Sequence, residues 1–330
     1  MKEGLELVRP TPNHDPNPPA VQEEPLYVAI VNYNGLQDTL HCLRSVAGST
    51  YRPFHTLVVD NASRDNSAKE IQRLFPEVEV VELSRNRGYT GGCNVAIEAA
   101  LSRGAACCLV LNNDTEIHQD ALGYLASTAL NHDDVAAVGP RVMDLTNRKI
   151  MRSLGGEIDM KTGRTTHEGS GKLEDLDSNS VRGIRGFLDG SAIMFVLKHI
   201  RSIGLFDERY FMYHDESDWC YRARALGYRL LLDGRATVWH KARGTAKLTD
   251  HRVHYLSQRS RILFLARFSS RRNWLEFWLR LPLEAVQALG TQSEENRQPG
   301  TQSRHGQAII HGLIDGLCKG DRFRERYRFE

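Results

Sequence analysis

The stretch CCLVLNND, residues 107–114, is a short apolar run that ends abruptly in two asparagines and an aspartate. An apolar run of this length, bounded by turn-forming residues, is typical of a buried strand in a parallel sheet. Two earlier apolar runs, at 26–31 and 56–59, end in the same way at Asn32 and Asp60. Because ligands bind at the carboxyl ends of parallel strands, these three strand ends predict one polar site at a sheet edge.

The segments between these strands have the periodicity of amphipathic helices. After the first strand, one helical face carries Leu36, Leu40, Leu43 and Ala47. Further helices are predicted at 68–74, 91–101 and 121–130, and further strands at 78–83 and 135–138. This alternation implies right-handed βαβ units. We therefore predict an α/β fold with a mainly parallel central sheet flanked by helices.

After Pro140 the pattern becomes less regular. Residues 150–182 are rich in Gly, Thr, Ser and charge, which predicts a long excursion with hairpin character. The elements predicted next are a strand at 190–197, a helix at 215–226, short strands at 229–232 and 236–239, and helices from His251 onward. The proline-rich residues 1–24 predict a disordered arm, and the polar residues 290–306 predict a loop.

The composition excludes several classes of protein. The 330 residues are 41% hydrophobic and 25% charged, which excludes a fully disordered or collagenous chain. A formal net charge of +2 gives no reason to expect nucleic-acid binding. The six cysteines form no CxxC pair, which is typical of reduced thiols in a cytosolic protein. Neither a membrane-spanning run nor an N-terminal signal peptide is indicated.

Two acidic residues at strand ends are candidate ligand groups. The Asp114 carboxylate can bind a hard divalent cation that also bridges phosphate oxygens, or it can simply close an Asx turn. Asp60 can accept a hydrogen bond from an N–H of a pyrimidine base, or the segment around it can cap the next helix. Since residues 65–67 are better placed for that cap, we expect the Asp60 side chain to be free for a ligand.

Residues 86–92, NRGYTGG, precede a predicted helix and are rich in glycine. Glycines permit a close approach of the backbone, and a helix N-terminus favours anions. Arg87 adds a positive charge suited to a pyrophosphate. The spacing matches neither GxGxxG nor a P-loop, so the standard dinucleotide and NTPase sites are excluded.

Three features of the second half allow two interpretations each. Residues 215–218, DESD, are spaced like a capping box, and one of their carboxylates is also a candidate general base. His240 ends a strand and is either a structural histidine or a metal ligand. Five arginines between 259 and 272 precede the apolar and aromatic residues 274–281. This stretch either lies on an anionic membrane surface or packs on the rest of the protein.

Several short strings together resemble the family 2 glycosyltransferases, in particular the bacterial rhamnosyltransferase-like branch. The matching strings are VNYNG at 31–35, VDNAS at 59–63, NRGYTGGCN at 86–94, LNNDT at 111–115, GSA at 190–192, FDE at 206–208, DESDWCYR at 215–222 and His240. They follow the family's order and cover about residues 25–267. The resemblance implies a GT-A fold, a nucleotide-diphospho-sugar donor and inversion at the anomeric carbon.

The resemblance also implies roles for individual residues. The family's Asp-x-Asp appears as Asn112-Asn113-Asp114, so Asp114 with His240 is expected to hold Mg²⁺ or Mn²⁺. The family's Glu-Asp pair appears reversed, and by position Glu216 takes the role of the base, with Asp215 as the alternative. The expected donor-binding residues are Asn32, Tyr33, Asn34, Asp60, Asn61, Asn86, Arg87, Gly88, Asn94, Asn112 and Asn113. The expected acceptor-side residues are Gly190, Ser191 and Asp218.

The expected organisation is a GT-A catalytic domain at 25–250 and a helical C-terminal extension at 251–330. Within the catalytic domain, residues 25–140 are the nucleotide-binding half and 141–250 the acceptor half. The expected reaction moves a sugar, with rhamnose the leading candidate, from a dTDP- or UDP-sugar to a hydroxyl of a sugar, lipid-linked or other acceptor. Acceptors in this branch are often lipid-linked, in cell-surface polysaccharide or glycolipid synthesis. A cytoplasmic protein touching the inner face of the plasma membrane is therefore expected, with its oligomeric state open.

Two other functions are consistent with some of the same residues. A nucleotidyltransferase usually has a Gly-rich loop with a basic residue after its first strand, and Asn32-Tyr33-Asn34-Gly35 argues against it. A non-catalytic nucleotide-sugar-binding module is suggested by the depleted Asp-x-Asp motif. Turnover of a nucleotide-sugar to free diphosphate separates the enzyme from the binding module.

Overall fold

The computed structural model describes residues 26–173, 180–241, 251–290 and 311–315, with side chains up to residue 281 in the third range. The predicted arm at 1–24, the predicted loop beyond residue 290 and Cys318 lie outside the described residues. The chain divides into two compact units. The first contains residues 1–157, 167–206 and 216–242, and the second contains residues 158–166, 207–215 and 243–330.

The first unit is built on a ten-stranded mixed sheet. The strands of the described residues are β1 (Leu26–Asn32), β2 (His55–Asp60), β3 (Glu79–Glu82), β4 (Cys107–Asn112), β5 (Thr115–Ile117), β6 (Val135–Asp144), β7 (Met151–Ser153), β8 (Gly156–Ile158), β9 (Thr165–His167), β10 (Val181–Gly183), β11 (Ala192–Val196) and β12 (Arg229–His240). The order is β10-β12-β6-β11-β4-β1-β2-β3, with β5 beside β12 and β7 beside β6. Strands β3, β2, β1 and β4 are parallel neighbours, whereas β11 runs antiparallel between β4 and β6. Outside this sheet, β8 and β9 form a two-stranded sheet.

Helices occupy most of the connections between these strands. They are α1 (Leu36–Ala47), α2 (Ser67–Leu74), α3 (Gly88–Ser102), α4 (Ala121–Leu130), α5 (Ile200–Ile203), α6 (Asp215–Ala225), α7 (His251–Phe268) and α8 (Arg271–Gly290). Helix α3 packs directly on β1, where a Cβ at Gly92 would lie 2.5 Å from Val31 Cγ1. This close approach requires a glycine. The five described cysteines are buried in the core and form no disulfide.

The predicted α/β architecture is confirmed, with differences at individual elements. Helix α3 begins at Gly88, earlier than the predicted start at residue 91. The two short strands predicted at 229–232 and 236–239 are one strand, β12, whose register against β6 shifts between Asp233 and Thr237. A bulge of this kind bends a strand and interrupts its alternating pattern without ending it. The three-residue strand β5 is too short to show a periodicity in the sequence.

The second unit is largely helical. Residues of α7, α8 and the segment 311–315 form an apolar cluster that contains Ile262, Leu265, Phe277 and Leu313. In α7, Arg259 is 3% exposed and Arg261 is 6% exposed, and their guanidinium groups donate to the carbonyls of Arg209 and Thr162. These two charges of the basic stretch are therefore internal and cannot face a membrane. No helix among the described residues is long and apolar enough to cross a membrane.

Candidate active site

The polar ends of the parallel strands come together as predicted. In the sheet register, Asn32 of β1 lies opposite Asp60 of β2, and Val31 lies opposite Asn112 of β4. Asn32 Nδ2 donates to Asp60 Oδ2 at 2.8 Å. The carboxyl edge of the sheet therefore carries a connected set of polar side chains at the start of α1 and α3.

The side-chain amide of Asn32 is the centre of this network. Its Oδ1 accepts hydrogen bonds from the Thr39 hydroxyl at 2.8 Å and from the Gly35 N–H at 3.2 Å. Asn32 is fully buried, and both its amide oxygen and its amide nitrogen are satisfied within the protein. Asn32, predicted as a donor-binding residue, therefore holds the strand ends in place.

Asn113 belongs to the same network. Its Nδ2 lies 3.2 Å from Asn32 Oδ1 and 3.2 Å from the Thr39 hydroxyl, and the residue is 8% exposed. Gly35 is required beside it, because a Cβ at that position would lie 2.2 Å from Asn113 Nδ2. The Asn113 amide thus supports the N-terminus of α1, where the sequence predicts a ligand contact.

Asp60 is more constrained than the sequence predicts. Its Oδ2 accepts from Asn32, its Oδ1 accepts from the Ser63 N–H at 2.8 Å, and the residue is 3% exposed. The expectation of a free side chain is therefore wrong, although Asp65 does accept from the Ser67 N–H at the start of α2, at 3.1 Å. Each carboxylate oxygen has a second lone pair. The Asp60 carboxylate can therefore still accept a hydrogen bond from a ligand, and its orientation is fixed by the two bonds within the protein.

The turn after β2 is tied to the first turn of α3. Asn61 Nδ2 donates to the Gly88 carbonyl, and Asn61 Oδ1 accepts from the Arg87 N–H, both at 2.8 Å. Asn86 Oδ1 accepts from the Gly88 N–H at 2.8 Å. Because both ends of its amide bond to backbone, Asn61 shapes this turn instead of contacting a ligand. The half-buried Arg87 stands at the N-terminus of α3, as the charge argument predicts.

Asn94, one turn farther into α3, has a structural role. Its Nδ2 donates to the Phe206 carbonyl and its Oδ1 accepts from the Phe206 N–H, both at 2.9 Å. With the residue 3% exposed, the Asn94 amide serves to fix the backbone of Phe206 against α3. The string VNYNG also contains Tyr33, which is half-buried, and Asn34, which is exposed. Asn34 has a φ of 50°, and its Oδ1 accepts from the Arg64 N–H at 2.7 Å. Tyr33 and Asn34 therefore remain accessible at this edge.

Asp114 and His240 form a close pair. β12 pairs with β5 so that His240 lies opposite Thr115, and His240 Nε2 is 3.1 Å from Asp114 Oδ1. The Asn112 amide nitrogen lies 3.4 Å from the same Nε2. A carboxylate oxygen and an imidazole nitrogen therefore converge on one point, as the two residues of a metal site would.

The donor set fits a divalent cation shared with a substrate. Asn112 Oδ1 is buried and has no hydrogen-bond partner among the described residues, so a second oxygen at this edge is unsatisfied. No group of three or more His, Cys, Asp and Glu side chains in the described part of the chain could hold a metal by itself. Magnesium commonly takes only one or two protein carboxylates and completes its shell with phosphate oxygens and water. The two protein groups Asp114 and His240 fit that type of site.

Gly190 brings Glu216 to the same edge of the first unit. A Cβ at Gly190 would lie 3.3 Å from Glu216 Cγ, so the absence of a side chain makes room for the glutamate. The Gly190 carbonyl accepts from the Tyr89 hydroxyl at 2.8 Å, and the Ser191 carbonyl accepts from the Asn112 N–H at 3.0 Å. Glu216 is half-buried, and its Oε1 accepts from the Ser217 hydroxyl at 3.0 Å. The segment 190–191 thus links Glu216 to β4 and α3.

Asp218, predicted as a cap or an acceptor contact, is a buried partner of Arg222. It is fully buried, and its Oδ2 accepts from Arg222 Nε at 2.7 Å. The same guanidinium donates to the carbonyls of Ile203 and Leu205, the second at 2.8 Å. A buried carboxylate paired in this way stabilises the loop before α6 and is not accessible to a substrate.

The backbone that leads into α6 is strained. Phe211, Tyr213 and His214 have φ of 64°, 67° and 59°, a region that bulky residues rarely adopt. Burial and the nearby Arg261 lower the pKa of His214 to about 4, so this side chain is neutral at pH 7. Asp215 follows with 1% exposure. Strain of this kind is common where a fold fixes the direction of a functional side chain, here at the start of α6.

One acidic residue at this edge is absent from the sequence-based prediction. Asp189 Oδ1 accepts from the Ser191 N–H at 3.0 Å and from the Ser191 hydroxyl at 2.6 Å. Burial alone would raise its pKa, but His167, His240 and the Ser191 hydroxyl hold the pKa of Asp189 well below its ordinary value. The sequence offers one signal for Asp189: an aspartate stands directly before the Gly190-Ser191 string. The partner of Asp189, His167, is distant in sequence.

Comparison with known proteins identifies the type of domain. The sequence model of the family "Glycosyl transferase family 2" matches residues 27–187. A hexosyltransferase of low-salt glycan biosynthesis, Agl10 of Haloferax volcanii, is 26% identical over 60% of this chain, and the match spans 61% of that protein. An N-acetylglucosaminyl-diphospho-decaprenol L-rhamnosyltransferase of Mycobacterium tuberculosis is 26% identical over 78% of this chain and 87% of its own length.

Two solved structures share the fold at low sequence identity. GalNAc-T7, crystallised with UDP, GalNAc and Mn²⁺, matches 92% of this chain and 58% of its own chain, with a TM-score of 0.61 and 13% identity. The mannosyltransferase PcManGT of Pyrobaculum calidifontis, in complex with GDP-Man and Mn²⁺, matches 97% of this chain and 92% of its own, with a TM-score of 0.59 and 14% identity.

Proposed function

Residues 27–187 of this chain form a family 2 glycosyltransferase domain in a GT-A-type fold, and from this premise we propose that the protein is an inverting glycosyltransferase of glycan synthesis. It moves a sugar from a nucleotide-diphospho-sugar to a hydroxyl of an acceptor. The observation that carries the proposal is the convergence of Asp114 and His240, 3.1 Å apart, at the strand edge that also holds Asp60. Glu216 stands at the same edge of the first unit, against Gly190.

The proposed donor is a pyrimidine nucleotide sugar, with dTDP-rhamnose first and UDP-sugars next. Asp60 supports this choice, because its fixed carboxylate has lone pairs left for an N–H of a pyrimidine base. Rhamnose is supported by the mycobacterial relative, whose name states a rhamnosyltransferase that acts on a diphospho-decaprenol acceptor. Tyr33, Asn34 and Arg87 are the further accessible donor-side residues.

Asp114 and His240 are proposed to hold Mg²⁺ or Mn²⁺ together with the donor diphosphate, with Asn112 beside them. When bound, the cation would neutralise the negative charge that develops on the departing nucleoside diphosphate. Arg87 and the N–H groups at the start of α3 add positive potential on the diphosphate side. The role proposed for these groups is to orient the leaving group before transfer.

Glu216 is proposed as the general base. Its carboxylate takes the proton from the acceptor hydroxyl while that oxygen attacks the anomeric carbon and the bond to the diphosphate breaks. The displacement is a single step, so the configuration inverts and no covalent enzyme intermediate is formed. Proton transfer by a positioned side chain contributes about 10²–10⁴ in rate.

Asp60→Ala should raise the donor Michaelis constant more than it lowers turnover, because contacts to the base are made equally in the ground and transition states. The experiment compares dTDP-, UDP- and GDP-sugars with Mn²⁺, by thermal shift and by release of nucleoside diphosphate. A true donor at 100 times its dissociation constant stabilises the fold by about 2.7 kcal/mol. Ser63→Ala is the matched control, because it removes one bond of the network and keeps the carboxylate.

Two results would contradict the proposal. Preference for a purine nucleotide would exclude the assigned role of Asp60. Tight binding of a nucleotide-sugar without any release of diphosphate, with or without added acceptors, would indicate a binding module instead of an enzyme.

Contact with an anionic membrane surface is proposed for α8, which would bring the enzyme to a lipid-linked acceptor. Leu275 and Leu279, one turn apart, are 61% and 70% exposed, and the exposed Arg271, Arg272 and Arg280 lie on the same half of the helix. The protein should pellet with anionic liposomes at low salt, and Leu279→Glu should weaken this binding. The matched control is Leu173→Glu, at a leucine 64% exposed in the first unit. Failure of the wild type to pellet would leave α8 with a packing role only.

A further inference from the structure

Among the described residues, polar groups hold the ring of His167 at one nitrogen, Nδ1. Its Nδ1 lies 3.0 Å from the Ser153 hydroxyl oxygen and 3.4 Å from Asp189 Oδ2. The ring of Phe187 meets it edge to face, with centroids 5.4 Å apart and an interplanar angle of 90°. Strand β7, through Ser153, and the segment 187–189 therefore hold the imidazole and orient its ring.

One ring nitrogen of His167 faces buried polar groups of the protein and the other does not. The fully buried Ser153 oxygen accepts from the Gly155 N–H at 3.1 Å and also faces His167 Nδ1. The negative charge of Asp189 favours a proton on this nitrogen. The second ring nitrogen, Nε2, is engaged by no described residue. The side chain of His167 is 37% exposed, so Nε2 is available to a ligand.

The position of Asp189 connects His167 to the proposed catalytic site. Asp189 directly precedes Gly190, the residue whose missing side chain leaves room for Glu216. The same carboxylate holds the Gly190-Ser191 turn through two hydrogen bonds from Ser191. The mechanism proposed above uses neither Asp189 nor His167.

We propose that His167 recognises the acceptor sugar through a hydrogen bond between Nε2 and one of its hydroxyl groups, and that Asp189 is the residue that positions the ring. This inference rests on the proposed glycosyl transfer and adds an acceptor-specificity residue to it. A hydroxyl group is the matching ligand, because it can donate to or accept from an imidazole nitrogen, and a glycoside presents several. The donor nucleotide is assigned to different residues, Asp60 and Arg87.

The test measures transfer to three soluble glycosides: octyl glucoside, octyl galactoside and octyl N-acetylglucosaminide. It also measures hydrolysis of the donor in water. His167→Ala should raise the acceptor Michaelis constant about tenfold, the loss of one hydrogen bond, with donor hydrolysis and the donor Michaelis constant unchanged. His167→Gln, which keeps a hydrogen-bonding group near the position of Nε2, should recover part of the loss. His132→Ala, at a histidine on the turn after α4, is the matched control and should behave like the wild type.

Asp189→Asn tests the positioning role. It should raise the acceptor Michaelis constant in the same direction, and the double variant His167→Ala/Asp189→Asn should lose no more than His167→Ala alone, because both changes remove one contact. A purely structural role would lower the melting temperature and leave the acceptor Michaelis constant unchanged, which would overturn the proposal. Donor hydrolysis by the wild type with no transfer to any of the three glycosides would also overturn it. Absence of any donor turnover would instead refute the proposed function.

Discussion

Replacing Glu216 by Gln should lower the rate of transfer about 10²-fold or more while binding of the donor is retained. Glutamine has the shape of glutamate, so the contact with Gly190 and the hydrogen bond from Ser217 can persist. Its amide cannot accept a proton, so only the chemical step is affected. The measurement is turnover at saturating donor and acceptor, with donor affinity determined separately by thermal shift.

The neighbouring acids supply the controls for this prediction. Asp218→Asn should keep turnover and lower stability to urea by about 2 kcal/mol, because it weakens the buried pair with Arg222. Asp215→Asn tests the alternative base, which stands one residue earlier with 1% exposure. Near-normal turnover of Glu216→Gln together with an inactive Asp215→Asn would show that Asp215 is the base.

Asp114→Ala should abolish transfer, with a loss on the order of 10³-fold or more, and should remove the divalent-ion-dependent part of donor binding. The change removes one of the two groups that lie 3.1 Å apart. It leaves His240 beside the buried oxygen of Asn112, which has no partner among the residues that the structure describes. Donor affinity is measured with and without Mn²⁺. In the variant, the two values should coincide.

Two comparisons make this result specific to the proposed cation site. Asp133→Ala, at a fully exposed aspartate paired with Lys198, is the matched control and should leave activity and metal dependence unchanged. Wild-type enzyme stripped with EDTA should lose activity and regain it with Mg²⁺ or Mn²⁺. Full activity of the stripped wild type would refute the role assigned to the cation and leave the fold assignment intact.

The order of elements could be predicted from the sequence because it depends on local patterns. Apolar runs of about six residues alternate with helical periodicity, and these features need no knowledge of distant contacts. The meeting of the strand ends followed from the parallel topology, and the registers of Asn32 with Asp60 and of Val31 with Asn112 confirm it. The bulge in β12 was not predictable, because its residues pair with β6 about a hundred positions away.

The sequence by itself determined which residue types gather at the strand edge: asparagines and aspartates at the ends of the strands, and Arg87 before α3. Only the tertiary structure decided which of these side chains form their hydrogen bonds within the protein. Asn32, Asn61, Asn94 and Asn113 look alike in sequence to a ligand-binding asparagine, yet their amides bond to partners that include Phe206, 112 residues away. A buried amide must satisfy its hydrogen bonds inside the protein, and the partner that satisfies it is fixed by packing. The same reason applies to Asp189, whose proposed role appears only where folding sets His167, Ser191 and Gly190 around it.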